Sequence, residues 1–221
     1  MKVRTEARRE AILEVASEVF LELGFERASI AEIVRRIGGS KSTIYGYYPS
    51  KEALFQAVTL AAGERHIRTA FDELAAHDIR SGIHGVLGSF CNKLVQFLCS
   101  PQMQATHRMV LAEAGHSNMG ELFYEAGPGR GACELAEFFS AAMENGHLRK
   151  ADPLVAALQL FSLLNAEIQL RWYYRAPPPL TEQEMQGVAE RALATFSRAY
   201  GVPLATPDGE MAEPVDTPCT P

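Results

Sequence analysis

An all-α fold is predicted for this chain of 221 residues. Apolar residues recur at steps of three and four through most of its length, and capping and breaking residues punctuate these stretches at helix-length intervals. No segment sustains the two-residue alternation of a half-buried strand, so no sheet is expected.

The elements follow in order. Residues 4–23 place Ile12, Val15, Ala16, Val19, Phe20 and Leu23 on one stripe, and Gly24 supplies a C-terminal stop. Phe25 is expected to tuck back onto the core. Ser29-Ile30-Ala31-Glu32 has the form of a capping box, with Ser29 capping the next helix and Glu32 reaching back. Ile30, Ile33, Val34 and Ile37 form the apolar stripe of that helix, and Gly38-Gly39 ends it. Ser40 caps a third short helix carrying Lys41 to Tyr47. After the Pro49-Ser50 break a single long helix is expected over 50–78, with Leu54, Phe55 and Val58 inward.

The second half continues in the same manner. Helices are expected from Ser81 to Cys99, from Ser100-Pro101 to about Gly115, and up to Asn145-Gly146 after an interruption at Gly127-Pro128-Gly129. Asp152-Pro153 opens a mostly apolar helix to Tyr174. Thr181-Glu182-Gln183-Glu184 is a second capping box, opening the last helix to Tyr200. The tail from Gly201, with prolines at 203, 207, 214, 218 and 221, is too poor in apolar surface to offset its ordering entropy and is expected to be disordered. The chain therefore divides into a helical unit at 1–50, a larger helical unit at 51–200 and a tail at 201–221.

Composition narrows the function. No apolar run is long enough for a membrane span, and no apolar run follows the charges at the N-terminus, so a cytoplasmic protein is expected. Cys91, Cys99, Cys133 and Cys219 have neither CxxC nor zinc-finger spacing and read as buried thiols. His107, Glu113 and His116 do not share one helical face, so no metal site is expected. Gly127-Pro128-Gly129-Arg130-Gly131 lacks the GK[ST] of a phosphate loop. No nucleophile–base order, carboxylate cleft or nucleotide fingerprint appears, so neither an enzyme nor a cofactor is expected. The formal net charge of −6 is unevenly spread. Residues 1–56 hold nine basic and eight acidic side chains, whereas 57–221 hold twelve and nineteen. A positive face belongs only to the small N-terminal unit.

That unit has two short helices joined by a glycine turn, which is either a helix-turn-helix or a plain helical corner. The third helix favours DNA. Ser40, Lys41, Ser42 and Thr43 gather small donors and a cation at its N-terminus, where free N–H groups favour an anion. Tyr45, Tyr47 and Tyr48 offer hydroxyls to phosphates, although Tyr48, beside the proline turn, fits core packing best. Lys51 is placed to neutralise a further phosphate.

The whole run from Ser29 to Phe55, SIAEIVRRIGGSKSTIYGYYPSKEALF, closely resembles the TetR/AcrR family signature. The resemblance implies an all-helical homodimer with an N-terminal three-helix DNA-binding domain and a C-terminal domain that dimerises and binds a small effector. By position it implies that Ser29 caps its helix and touches a phosphate. Lys41, Ser42 and Tyr47 would lie in or beside the major groove. Thr43, Tyr45 and Lys51 would hold the backbone, with Lys2 and Arg4 as a basic arm. Two residues depart from the pattern. Gly39 replaces an apolar residue such as valine and is expected to loosen the turn; Gly46 replaces a larger residue and removes a phosphate contact. Further on, RMVLAEAG (108–115) and ELFYEAGPGR (121–130) resemble the effector domain of the AefR-like subgroup, although His116-Ser117-Asn118-Met119 departs from it.

The expected partners are a double-stranded DNA operator, a small-molecule effector and a second copy of the chain; no membrane partner is expected. Cys91, Phe97, Met103, Met109, Phe123, Tyr124 and Trp172 are candidates for an apolar effector cavity, with simple core packing as the alternative. Gln159, Asn165, Glu167 and Gln169 interrupt an apolar helix. Asn165 and Gln169 are counted as effector contacts, while solvent exposure or the dimer interface remains the alternative. The expected function is a ligand-responsive transcriptional regulator, in its commonest form a repressor. The alternative is a helical interaction module without DNA binding.

Overall fold

The computed structural model describes residues 5–174 and 177–202, apart from the side chain of Glu64. The helices are α1 (Glu6–Leu23), α2 (Ile30–Ile37), α3 (Lys41–Tyr47), α4 (Lys51–His66), α5 (Arg68–Ala76), α6 (His84–Cys99), α7 (Pro101–Glu113), α8 (Met119–Ala126), α9 (Pro128–Glu144), α10 (Pro153–Asn165) and α11 (Glu182–Tyr200). Short 3₁₀ turns cover Ile79–Ser81 and Gln169–Tyr173. The fold is all-α; among the described residues the one extended pairing is an isolated bridge between Leu148 and Gly201. No described helix is long and apolar enough to cross a membrane.

The caps act largely as their residue types dictate. Thr5, Ser29, Ser40, Ser50, Ser100, Asp152 and Thr181 each accept a backbone N–H in the first turn of the following helix. Thr181 and Glu184 complete a full capping box. At Ser29 only half of the expected box forms. Glu32 does not reach back; its carboxylate accepts from Arg35 at 2.6 and 2.8 Å and from Arg36 at 2.8 Å. Arg36 also donates to Glu22 of α1 at 2.6 Å, so charge pairing across α1 and α2 wins over the cap.

α1 to α3 and the start of α4 enclose one small core. Phe20 of α1, Phe25 of the connection and Phe55 of α4 pack with ring centroids 5.4–5.7 Å apart, two of the three contacts edge-on. Ile12, Ile33, Ile44 and Leu54 complete it, all 1% exposed or less. Tyr48 is buried beside them, as expected.

The glycine turn between α2 and α3 differs from expectation. Gly38 and Gly39 both take positive φ, at +74° and +107°. Arg8 of α1 donates to the Gly38 carbonyl at 2.5 Å, and its Nη2 sits 3.1 Å from where a Cβ on Gly39 would stand. Gly39 does not loosen the turn. It permits a backbone conformation that valine rarely adopts, and the arginine pins it.

The larger unit packs α6 centrally against α5 and α11, with α9 and α10 paired beside it. Four expectations are corrected here. The helix expected over 50–78 breaks at Ile67, which turns into the core and places Arg68 2.7 Å from Glu134 of α9. No glycine or proline marks that break at the residue itself; tertiary contacts cause it. The helix opening at Asp152 ends at Asn165, because the following 3₁₀ turn carries Trp172 back onto His107. The helix expected from Ser81 begins at His84, since Ser81 closes a 3₁₀ turn instead. Cys133 is exposed and Cys99 half-buried, so only Cys91 is a fully buried thiol; Cys219 lies outside the described residues. Residues 203–221, most of the tail expected to be disordered, also lie outside them.

Two measurements check these contacts. Replacing Gly39 by valine should destabilise the chain by about 1–3 kcal/mol in urea unfolding, the usual cost of a strained backbone position; an unchanged or raised stability would contradict the described turn. The Arg35 and Arg36 guanidiniums hold the Glu32 carboxyl well down, from 4.5 to about 2. A depressed folded-state value makes the stabilisation complete above about pH 4.5 and removes it as pH falls toward 2. The stability difference between the parent and Glu32→Gln should therefore be constant above that window and shrink through it. A difference that grows on acidification would refute the pairing.

Candidate DNA-binding helix and effector cavity

α3 presents one face to solvent and buries the other. Ile44 is its inward anchor, at 1% exposure, while Lys41, Ser42 and Tyr45 are exposed, Tyr45 at 48%. The hydroxyls at its start are linked: Ser40 Oγ lies 2.8 Å from Ser42 Oγ and 2.9 Å from Thr43 Oγ1. This knot fixes the rotamers of small donors on the exposed side. Tyr47 is half-buried, and its hydroxyl accepts the Thr5 N–H at 3.2 Å, tying the end of α3 to the start of α1. Ser29 is exposed at the N-terminus of α2.

Lys51 has a different situation from the others. Its Nζ donates to the Phe25 carbonyl at 2.9 Å, reaches the Glu26 and Ala28 carbonyls at 3.4 Å, and sits 4.3 Å from the Phe25 ring centroid. The ammonium fastens the α1–α2 connection. Lys2 and Arg4 lie outside the described residues. Arg8, which holds the glycine turn, was not a sequence candidate, because an exposed arginine on an amphipathic helix carries no distinguishing mark.

The second site is a cavity of about 600 Å³ between α4, α5, α6, α7, α8, α9, α10 and the 3₁₀ turn that follows α10. That volume suits a small organic molecule. Phe97, Met103, Phe123, Tyr124, Asn165, Gln169 and Trp172 all line it. Two candidates do not. Cys91 is fully buried in the core, where burial pushes its thiol up to about 12. Met109 lines a separate seam between α1, α4 and α7. The polar interruptions of α10 and the turn after it also sort themselves. Gln159 accepts from the Tyr200 hydroxyl at 2.5 Å, and Glu167 pairs with Arg191 at 2.6 Å. Asn165 and Gln169 are left on the cavity wall.

Sequence reasoning missed several wall residues. His107 stacks on Trp172 with centroids 4.4 Å apart and meets the Phe123 ring edge-on at 5.3 Å. Its Nδ1 lies 3.0 Å from the Met103 carbonyl, and burial lowers its pKa below the ordinary 6.5. Thr59, only 8% exposed, stands in the otherwise apolar inner stripe of α4, a signal that could have found it. Arg68, Arg130 and Glu134 form a charged edge to the cavity.

The cavity and the DNA-binding unit share walls. Thr59, Phe97, Met103 and Phe123 line both the cavity and the seam against α1. Across that seam Gln102 Nε2 donates to Ser17 Oγ at 3.0 Å.

Comparison with known proteins agrees with this architecture. Residues 12–58 match the model of bacterial regulatory proteins of the tetR family, and residues 85–202 match that of the AefR-like transcriptional repressor C-terminal domain. The HTH-type transcriptional regulator YvdT of Bacillus subtilis (strain 168) is 41% identical over 58 residues, 26% of this chain and 30% of YvdT. UidR of Escherichia coli (strain K12) is 40% identical over 65 residues, 29% of this chain and 33% of UidR. The matched stretch thus spans about a third of each of these relatives. A TetR-family regulator from Mesorhizobium loti MAFF303099 superposes with a TM-score of 0.74 at 24% identity, over 90% of this chain and 100% of that one. The flavonoid-responsive regulator FrrA superposes with a TM-score of 0.71 at 28% identity, over the same shares. With an AefR-like C-terminal model covering residues 85–202 and a tetR-family model covering the helix-turn-helix, this chain belongs to the TetR family of bacterial transcriptional regulators.

Proposed function

We propose that this regulator is a cytoplasmic homodimeric repressor that releases a pseudo-palindromic operator when a small apolar or amphipathic molecule enters the cavity. The observation that carries the reading is the shared wall. α4 supplies Phe55 to the core behind α3 and Thr59 to the cavity, four residues and about one turn apart. A ligand that repositions Thr59 also moves Phe55, and with it the seat of α3. The ligand acts only if it binds the two arrangements unequally.

On DNA, Lys41, Ser42 and Tyr47 are assigned to or beside the major groove, Thr43, Tyr45 and Ser29 to phosphates, and Lys2 and Arg4 to a basic arm. Lys51 is reassigned in part: its ammonium already serves three carbonyls, so its main contribution is to hold Phe25 in place. Dimerisation is assigned to α10 and α11. Leu154, Val155 and Leu158 of α10 are 38–43% exposed, an apolar strip that a second copy would cover. A two-fold dimer then holds two α3 helices about one DNA turn, or a multiple, apart. Division at residue 50 remains part of this proposal, with the first turns of α4 contributing to the DNA-binding core. FrrA, by its name, responds to a flavonoid, and that supports an aromatic effector for this chain.

Thr43→Ala combined with Tyr45→Phe should weaken operator binding across sequences and leave its salt dependence nearly unchanged, because neither hydroxyl neutralises a phosphate. Unchanged affinity for the promoter beside the protein's own gene would overturn the assignment. Sedimentation at micromolar concentration should show a dimer; a monomer would refute the assembly.

A further inference from the structure

The cavity wall has hydrogen-bonding groups that the protein itself leaves unmet, and their chemistry selects the occupant. This step rests on the reading of the cavity as the effector site. His107 Nδ1 faces the Met103 carbonyl, an acceptor, so Nδ1 carries the proton. Burial keeps the ring neutral, which makes Nε2 a lone-pair acceptor, and Nε2 has no partner among the described residues. Asn165 donates its Nδ2 to the Phe161 carbonyl at 2.9 Å, which leaves Oδ1 as a second acceptor, buried and unpaired. Trp172 Nε1, a donor, and Thr59 Oγ1 are also buried and unpaired. All four residues line the same cavity, and the three buried unpaired groups, on Thr59, Asn165 and Trp172, cost free energy until a partner arrives.

The charged edge is in the opposite condition. The two cations of the wall are engaged: Arg68 pairs with Asp72 at 2.8 Å and Glu134 at 2.7 Å, and Arg130 pairs with Glu134 at 3.1 Å. A carboxylate or phosphate on a ligand would have to break one of these pairs or be buried beside Glu134, and a buried charge without a partner is strongly disfavoured. The remaining wall is apolar: Phe71, Phe97, Phe123, Tyr124 and Phe161 gather around the His107–Trp172 stack, with Leu60, Leu94, Leu98 and Leu158 between them. Flat rings gain from stacked and edge-on contacts there.

We propose that the effector is an uncharged, flat aromatic molecule bearing a hydroxyl group, which donates its one proton to His107 Nε2, with Asn165 Oδ1 as the alternative acceptor, and accepts from Trp172 Nε1. The wall thereby discriminates phenols from the corresponding ethers and carboxylates. A site built to take a hydroxyl proton rejects the analogue without one, because its own acceptors stay unpaired.

The test is calorimetric titration of the full-length protein with three probes of one ring system: β-naphthol, its methyl ether and β-naphthoate. β-Naphthol should bind at least about tenfold more tightly than either of the others. His107→Phe keeps the ring and removes the acceptor; it should lower naphthol affinity about tenfold and leave the ether unchanged. Asn165→Leu is the second variant, and thermal melts establish that each variant folds. Tighter binding of the ether or the naphthoate, or no binding of naphthol at millimolar concentration, overturns the proposal on the unaltered chain alone. Release of DNA selected from a random pool is scored separately. Release by naphthoate but not naphthol would keep the regulator and discard the ligand class. Naphthol binding in a protein that selects no DNA would keep the ligand class and discard the regulator.

Discussion

Phe20, Phe25 and Phe55 come from three separate segments, and their mutual packing is what makes a DNA-reading unit out of helices too short to stand alone. α2 and α3 have eight and seven residues, well under the length at which isolated helices are stable in water. Their order comes from a buried face, and the aromatic cluster is its largest part. Each aromatic pair adds about 0.5–1.5 kcal/mol beyond its area burial. Lys51 holds the cluster from outside by gripping the backbone of 25–28, and Arg8 holds the glycine turn. Both cations have a residue type that could serve phosphates, and their geometry also gives them a scaffold role.

Because Phe55 belongs to α4, this cluster also binds the small unit to the large one. Thr59 faces the cavity from the same helix, and Phe97, Met103 and Phe123 serve both sides of the seam. The cavity is therefore built into the support of α3. Packed side chains along α4 and across the seam thus connect the cavity wall to the core on which α3 rests.

Much of this was legible in the sequence, and the parts that were not share a cause. Caps and glycine stops are local signals, so Ser40, Ser50, Ser100, Asp152 and Thr181 were readable. The apolar stripes and the family signature placed α1 to α3 and the start of α4, and seven of the nine effector candidates line the cavity. What was hidden depends on distant partners. The break at Ile67 requires Glu134, and the end of α10 requires His107 beneath Trp172. Glu32 leaves its cap for Arg35 and Arg36, the latter also bound to Glu22. Gly39 reads as a defect in the signature until the Arg8 contact and its positive φ are seen together. His107, set aside as a metal ligand of poor spacing, gains its role only from the ring stacked on it.

The central claim is that the recognition unit and the cavity share one mechanical core through α4. Amide hydrogen exchange on the full-length chain with Phe55→Ala tests it most directly, since the cavity left by a buried phenylalanine costs about 3–5 kcal/mol and should propagate wherever the core is shared. A shared core requires faster exchange both in α1 to α3 and in the cavity-lining parts of α4, α7 and α8. Faster exchange confined to α1 to α3, with α7 and α8 as protected as in the parent, would contradict it.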